Sequence, residues 1–179
     1  MAGSKQTIVP NYVTESGFTT DIPARTKVGG LQGSGEFYFY NREQDTLFRF
    51  NIDSIPGITD LPDYSKDYPA QWEEKLKKKA NRAVSFGNIS WSPNSSFAVF
   101  EIRAQDNKDR WLMKFDPASG RYSLLDRQRD EAWIGGPGTG GFGAQSTGWI
   151  NDVTYWFRSE VSGYSHLYLA NLVTGEKKA

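Results

Sequence analysis

The chain has 179 residues, 37% hydrophobic, 15% aromatic and 23% charged, and its 21 basic residues are balanced by 21 acidic ones. A neutral chain has no overall field to draw it to nucleic acid or an anionic membrane, no apolar run approaches the roughly 20 residues of a membrane span, and so many rings exclude a disordered segment. No cysteine and a single histidine, His166, exclude disulfides, thiol nucleophiles, thiolate metal sites and multi-histidine metal centres, so neither metal nor cofactor is expected.

Residues 1–30 are polar and rich in turn formers. Met1-Ala2-Gly3-Ser4 reads as an expression scar, not a targeting segment. Ile8-Val9-Pro10 and Tyr12-Val13 read as short edge strands, the alternative being an ordered arm that packs on something else; this amino-terminal arm, 1–30, precedes one domain over residues 31–179.

From Gly35 a unit recurs: an aromatic and β-branched run, a polar turn, a second alternating run and a glycine turn. The first copy has Glu36–Tyr40 and Leu47–Ile52. The second has Phe97–Ile102 and Trp111–Phe115, closed by Asp116–Gly120. The third has Val153–Arg158 and His166–Ala170, closed by Val173–Gly175. The later copies each open on a tryptophan and a turn, at Trp91 and Trp149. The runs are rich in β-formers, alternate at period two and are bounded by turn formers, so they predict strands. Recurrence at this scale signals a repeat architecture. The fold class is therefore all-β: antiparallel β-propeller blades, about three, in an incomplete ring. One segment breaks the pattern. Pro69–Arg82 is rich in helix formers, Asp67 is placed to cap it, and Glu73–Lys77 and Glu74–Lys78 have favourable spacing. It predicts a short exposed helix near residues 69–82, inserted between blades. Its lysine run reads as a solvated face and not as a nucleic-acid patch. Three blades do not close a ring, so a fragment of a longer chain is expected.

Little in the sequence carries chemistry. Ala144-Gln145-Ser146-Thr147-Gly148 lacks the first glycine of a nucleophile elbow and leads into a strand instead of a helix. His166 sits in an alternating strand and reads as a hydrogen-bonded structural histidine. The glycine-rich stretch 135–143 fits Gly-x-Gly-x-x-Gly, but no helix follows, which argues against a dinucleotide site. Asp130-Glu131 and Glu73-Glu74 are sequence neighbours that make poor glycosidase dyads. Asn88-Ile89-Ser90 and Asn94-Ser95-Ser96 match a glycosylation sequon that is common by chance. Arg103, Asp106 and Asp109 flank a polar turn and read as charged groups pinning a hairpin. No catalytic residue is assigned.

Four landmarks in order carry a resemblance: Ile89-Ser90-Trp91-Ser92-Pro93-Asn94; Ile102–Trp111; Asp130-Glu131-Ala132-Trp133-Ile134-Gly135-Gly136-Pro137-Gly138; and Ser159-Glu160-Val161-Ser162-Gly163-Tyr164-Ser165-His166-Leu167-Tyr168-Leu169. Residues 84–179 resemble the amino-terminal β-propeller of the prolyl oligopeptidase family of serine peptidases, in its dipeptidyl peptidase IV-like branch. The resemblance implies a propeller that is not itself the catalyst. In such proteins a carboxy-terminal α/β-hydrolase domain carries the serine, aspartate and histidine, and none of these is present here. The propeller covers the active site, limits substrate size and holds the peptide's amino end. The glutamate pair that grips a free amino terminus has no counterpart, and Glu73-Glu74 stand in the wrong context. One local transfer follows: the loop after Trp133, through Gly135, Gly136, Pro137 and Gly138, would border the substrate-side cavity and touch substrate through backbone.

The first functional reading is thus the non-catalytic propeller portion of a serine peptidase. It would gate and position peptides for a hydrolase domain absent from this chain, so the fragment is no enzyme and its parent is one. Its partners would be peptide substrates and the remainder of its own chain, with homo-oligomers left open. The resemblance implies a periplasmic or secreted location and leaves a cytoplasmic one open. Two alternatives stand beside it: a stand-alone propeller interaction module, and a carbohydrate-binding β-sandwich using its rings on sugars.

Overall fold

The computed structural model describes residues 6–26, 33–135 and 147–179, and the chain divides into two compact units, Met1–Ser34 and Gly35–Ala179. The first holds one hairpin, β1 (Gln6–Asn11) and β2 (Thr20–Thr26), in antiparallel register with Val9 opposite Ile22. The expected strand at Tyr12-Val13 is absent: both residues lie in the connection, where Thr14 Oγ1 donates to Phe18 O at 2.6 Å and Gly17 takes φ +72°. Ile8, Val9, Tyr12, Val13, Phe18 and Ile22 are exposed, so the hairpin has no core of its own.

Among its described residues the second unit holds three antiparallel sheets. The first has two strands, β3 (Tyr38–Asn41) and β4 (Thr46–Arg49). The second has four in chain order: β5 (Val84–Trp91), β6 (Ala98–Ala104), β7 (Asp109–Asp116) and β8 (Arg121–Arg129). The third repeats that order with β9 (Thr147–Trp149), β10 (Thr154–Ser159), β11 (His166–Asn171) and β12 (Lys177–Lys178). These are blades of an incomplete all-β propeller; no sheet closes on itself among the described residues.

Turn chemistry aligns the blades. Asn41, Asp116 and Asn171 each end a strand, and each side-chain oxygen accepts backbone N–H bonds from the second and third residues beyond it, at 2.9–3.4 Å. Four residues on, each turn needs a left-handed backbone, supplied by Asp45 (φ +47°), Gly120 (+65°) and Gly175 (+75°). The short acceptor side chain satisfies the turn's N–H groups, and glycine takes the left-handed position without a Cβ penalty. The Ser119 hydroxyl on Asp116, at 2.8 Å, holds that carboxyl below its ordinary value. By this motif β3–β4 matches β7–β8 and β11–β12, the outer pair of each blade. The sequence had suggested instead that 36–52 matches the middle hairpins. The reason is that strand composition is alike in all these runs, whereas the turn discriminates.

Period-two alternation on β6 and β7 sends apolar side chains both ways. Ala98, Phe100, Ile102, Ala104, Trp111, Met113 and Phe115 join Phe50, Ile55, Ile58 and Val84 in one core, with Phe37 and Phe39 against it. Val99 and Leu112, on the opposite face, join Tyr155, Phe157, Ala170 and Leu172 in a second core. A central sheet covered on both faces is a stack of three layers, not the two of a β-sandwich. Hydrogen bonds also join the second and third sheets: Asn94 N donates to Asp152 Oδ1 at 3.0 Å, Trp149 Nε1 donates to Ser90 Oγ at 3.1 Å, and Lys114 Nζ donates to Leu172 O.

The inserted helix α1 spans Pro69–Lys78, shorter than 69–82 because Lys79 turns left-handed (φ +44°) and stops it. Asp67 does not cap it: Asp67 closes a short 3-10 turn (Asp63–Asp67), and Tyr68 takes the cap position with no side-chain bond. The stretch before the helix, 50–61, is held by the central sheet and by Arg82 just before it. Trp111 Nε1 donates to Pro56 O at 3.0 Å and Arg82 Nη2 donates to Gly57 O at 2.8 Å.

Candidate functional site

The end of β8 runs into a turn that is fixed at every step. Asp130 Oδ1 accepts from Ala132 N (2.6 Å) and Trp133 N (3.0 Å). Lys108 Nζ donates to the carbonyls of Glu131 (2.6 Å) and Ala132 (2.5 Å), and Ile134 N donates to Asn107 O (2.9 Å). Ile134 is buried, while Trp133 is 61% exposed. A large ring held out on a pinned backbone has little conformational entropy left to lose on binding. A Cβ on Gly135 would lie 2.7 Å from Trp133 Cδ1, so this glycine is what lets the indole lie against the chain.

Beside the ring is a pocket of about 70 Å³, lined by Arg127, Gln128, Arg129, Asp130, Trp133, Ile134, Gly135, Ser159, Glu160 and Val161. It joins the end of β8 to the turn between β10 and β11. Gln128 ties the two together by donating from Nε2 to Arg158 O at 3.0 Å.

Behind the pocket lies a charged hub. Asp109 is fully buried, and three guanidinium groups converge on it at 2.7 Å, from Arg82, Arg127 and Arg129. Arg127 also pairs with Asp60 (2.7 Å), Arg129 with Glu131 (2.5 Å) and Arg82 with Asp106 (3.2 Å). Burial pulls the Arg127 guanidinium down, but Asp109 and Asp60 outweigh it and leave it above its ordinary value. A buried carboxylate is tolerable only when its lone pairs are met by donors, and this one is met three times over. Trp111 lies under the Arg82 and Arg127 guanidiniums, at 5.4 and 6.0 Å.

Among the residues expected at a site, Trp133 and Gly135 line the pocket, and Gly136, Pro137 and Gly138 lie outside the described residues. Ser146 also lies outside them, while Thr147 and Gly148 enter β9 as expected. Among the described residues the His166 side chain has no hydrogen bond, against the structural reading: it is exposed, edge-on to Tyr164 with ring centroids 6.4 Å apart. The side chains that face the core from β11 are Tyr168 and Ala170, two and four positions on. Asp106 pins its turn by accepting from Lys108 N at 3.0 Å, and Asp109 does more than pin a hairpin, since its arginines hold the 50–61 stretch.

Sequence reasoning missed Arg127, Arg129, Glu160 and Val161. The string holding Glu160 stood out as a landmark, but nothing local says that it meets a turn 30 residues earlier. Among the described residues, no serine or threonine is hydrogen-bonded to the one histidine, the pairing that activates a hydroxyl nucleophile. Among the described residues, no helix is long and apolar enough to cross a membrane.

No protein-family model matches the chain, and no curated protein matches it. Solved structures do. Dipeptidyl peptidase 4 of Porphyromonas gingivalis is similar over 98% of this chain and 20% of its own, with TM-score 0.55 and 14% identity. A candidate dipeptidyl aminopeptidase IV of Bacteroides ovatus is similar over 94% of this chain and 19% of its own, with TM-score 0.44 and 14% identity. The chain thus spans about a fifth of the length of these structures. The likeness is one of fold, and it meets the fold resemblance carried by the four sequence landmarks.

Proposed function

We propose that this chain is the non-catalytic propeller portion of a dipeptidyl peptidase IV-like serine peptidase, with residues 1–30 as an arm and 31–179 as the propeller segment. It gates and positions peptides for an α/β-hydrolase domain carried elsewhere in the same polypeptide. The observation that carries this reading is the fold likeness to dipeptidyl peptidase 4 over 98% of the chain. It is joined by an exposed, rigidly held Trp133 at a pocket on the blade loop that the sequence resemblance singled out. In this reading Trp133 offers a stacking and apolar surface to the peptide, and the chain from Gly135 to Gly138 approaches it through backbone. The protein works in the periplasm or outside the cell.

The test uses the longest polypeptide that contains this chain. A fluorophosphonate probe should label one serine outside residues 1–179. Trp133→Ala should then change kcat/KM on peptides several-fold while leaving a small ester substrate unaffected. An unlabelled polypeptide would favour an interaction module instead.

A further inference from the structure

The charges around the Trp133 pocket do not cancel. Arg127 and Arg129 are both taken up by Asp109, and each has a second acid, Asp60 at 2.7 Å or Glu131 at 2.5 Å. Asp130 spends one oxygen on the backbone of its own turn. Glu160 is different. It lines the same pocket, it is exposed, and its carboxylate has no ion pair or hydrogen bond among the described residues. The unanswered charge at this pocket is therefore negative, although two arginines stand in its wall.

The same pocket is lined by Trp133, 61% exposed, and Val161, 80% exposed. An aromatic face and an unpaired acid on one small cavity form the chemistry that takes an organic cation: the ring quadrupole attracts the charge, the carboxylate pairs with it, and an apolar stem lies along the indole and valine. An anion would meet Glu160 and Asp130 with no free guanidinium to answer it.

We infer that the pocket of Trp133, Glu160 and Val161 is a binding site for an organic monocation, a protonated amine or guanidinium carried by a peptide. That the cation belongs to a peptide rests on the peptidase reading above; the pocket's preference for a cation does not.

The test is a titration of the 179-residue chain, read on its tryptophan indole N–H resonances by NMR. The chain has six tryptophans, and the Trp133 signal is the one lost in Trp133→Phe. The probes are N-acetyl-lysine amide, alanine amide and the neutral N-acetyl-norleucine amide. The expected result is a saturable shift of the Trp133 signal with a cationic probe and none with norleucine. Glu160→Gln should weaken that binding about three- to fivefold while leaving the other five indole signals in place. A response to the lysine probe names a basic side chain as the source, and a response to alanine amide names a peptide's amino end. Equal shifts with norleucine, or full affinity in Glu160→Gln, would overturn the inference. A cation site found in a polypeptide without a reactive serine would sink the peptidase reading and leave this one standing.

Discussion

The sheet β5–β8 is covered on both faces, whereas among the described residues β9–β12 is covered on one face only. Aligned on their closing turns at Asp116 and Asn171, the two blades differ first at the far end of a strand, on the face that is covered in both. On the central sheet the residues seven and five positions before the turn are Asp109 and Trp111, both without exposed surface. On the outer sheet they are Tyr164, 77% exposed, and His166, also exposed. Phe157 and Tyr168 stack at 5.7 Å on the covered face of the outer sheet. One residue to either side of Tyr168 on β11, Leu167 and Leu169 are exposed on the other face. The same strand grammar therefore gives a wholly buried element or a half-buried one, depending on whether a neighbour exists on each side. Where both sides are covered, the protein can afford a buried carboxylate, because three arginines reach it from separate segments.

The largest break in this comparison is Asp109→Ala, which leaves three guanidinium groups without their shared acceptor. Removing one partner of a buried ion pair costs about 3–5 kcal/mol, read as a lower urea midpoint. The exposed Glu36–Arg49 pair is the contrast, since both side chains are more than half exposed, and Glu36→Gln should leave the midpoint nearly unchanged. Next comes Phe157→Ala on the covered face of the outer sheet, which opens a cavity between two sheets. It should cost about 3 kcal/mol or more in the same assay, while Leu167→Ala on the open face should shift stability by less than about 0.5 kcal/mol. Equal losses from Phe157 and Leu167 would mean that the open face is covered too. The smallest effect is a gain. Asp45 is the one non-glycine residue among the three left-handed turn positions, and Asp45→Gly should raise stability by up to about 1 kcal/mol.

Much of the central fold was legible in the residues. The alternating runs at 97–102, 111–115, 153–158 and 166–170 all became strands, because β-branched and aromatic side chains bounded by turn formers leave few other ways to bury area. The helix was legible from composition, but its end was not, since Lys79 in a left-handed conformation carries no sequence signal. The tryptophan period was legible, yet only the side chains of Asn41, Asp116 and Asn171 showed which strands correspond. At the candidate site Trp133 and Gly135 were legible through the family-like string. Glu160 and Val161, which line the same pocket, were not, because that pocket joins two turns of different blades.

The sequence by itself determined the strand class, the turn chemistry, the inserted helix and the absence of cysteine chemistry. These follow from local propensity and period, which each segment carries within itself. Only the tertiary structure decided which faces are buried, that Asp109 gathers Arg82, Arg127 and Arg129, and that Glu160 lines the same pocket as Trp133 with its charge unanswered. Each of these depends on side chains from segments 18 or more residues apart, and the energy of burying or pairing a group is set by the neighbours that arrive, not by the residue's own place in the chain.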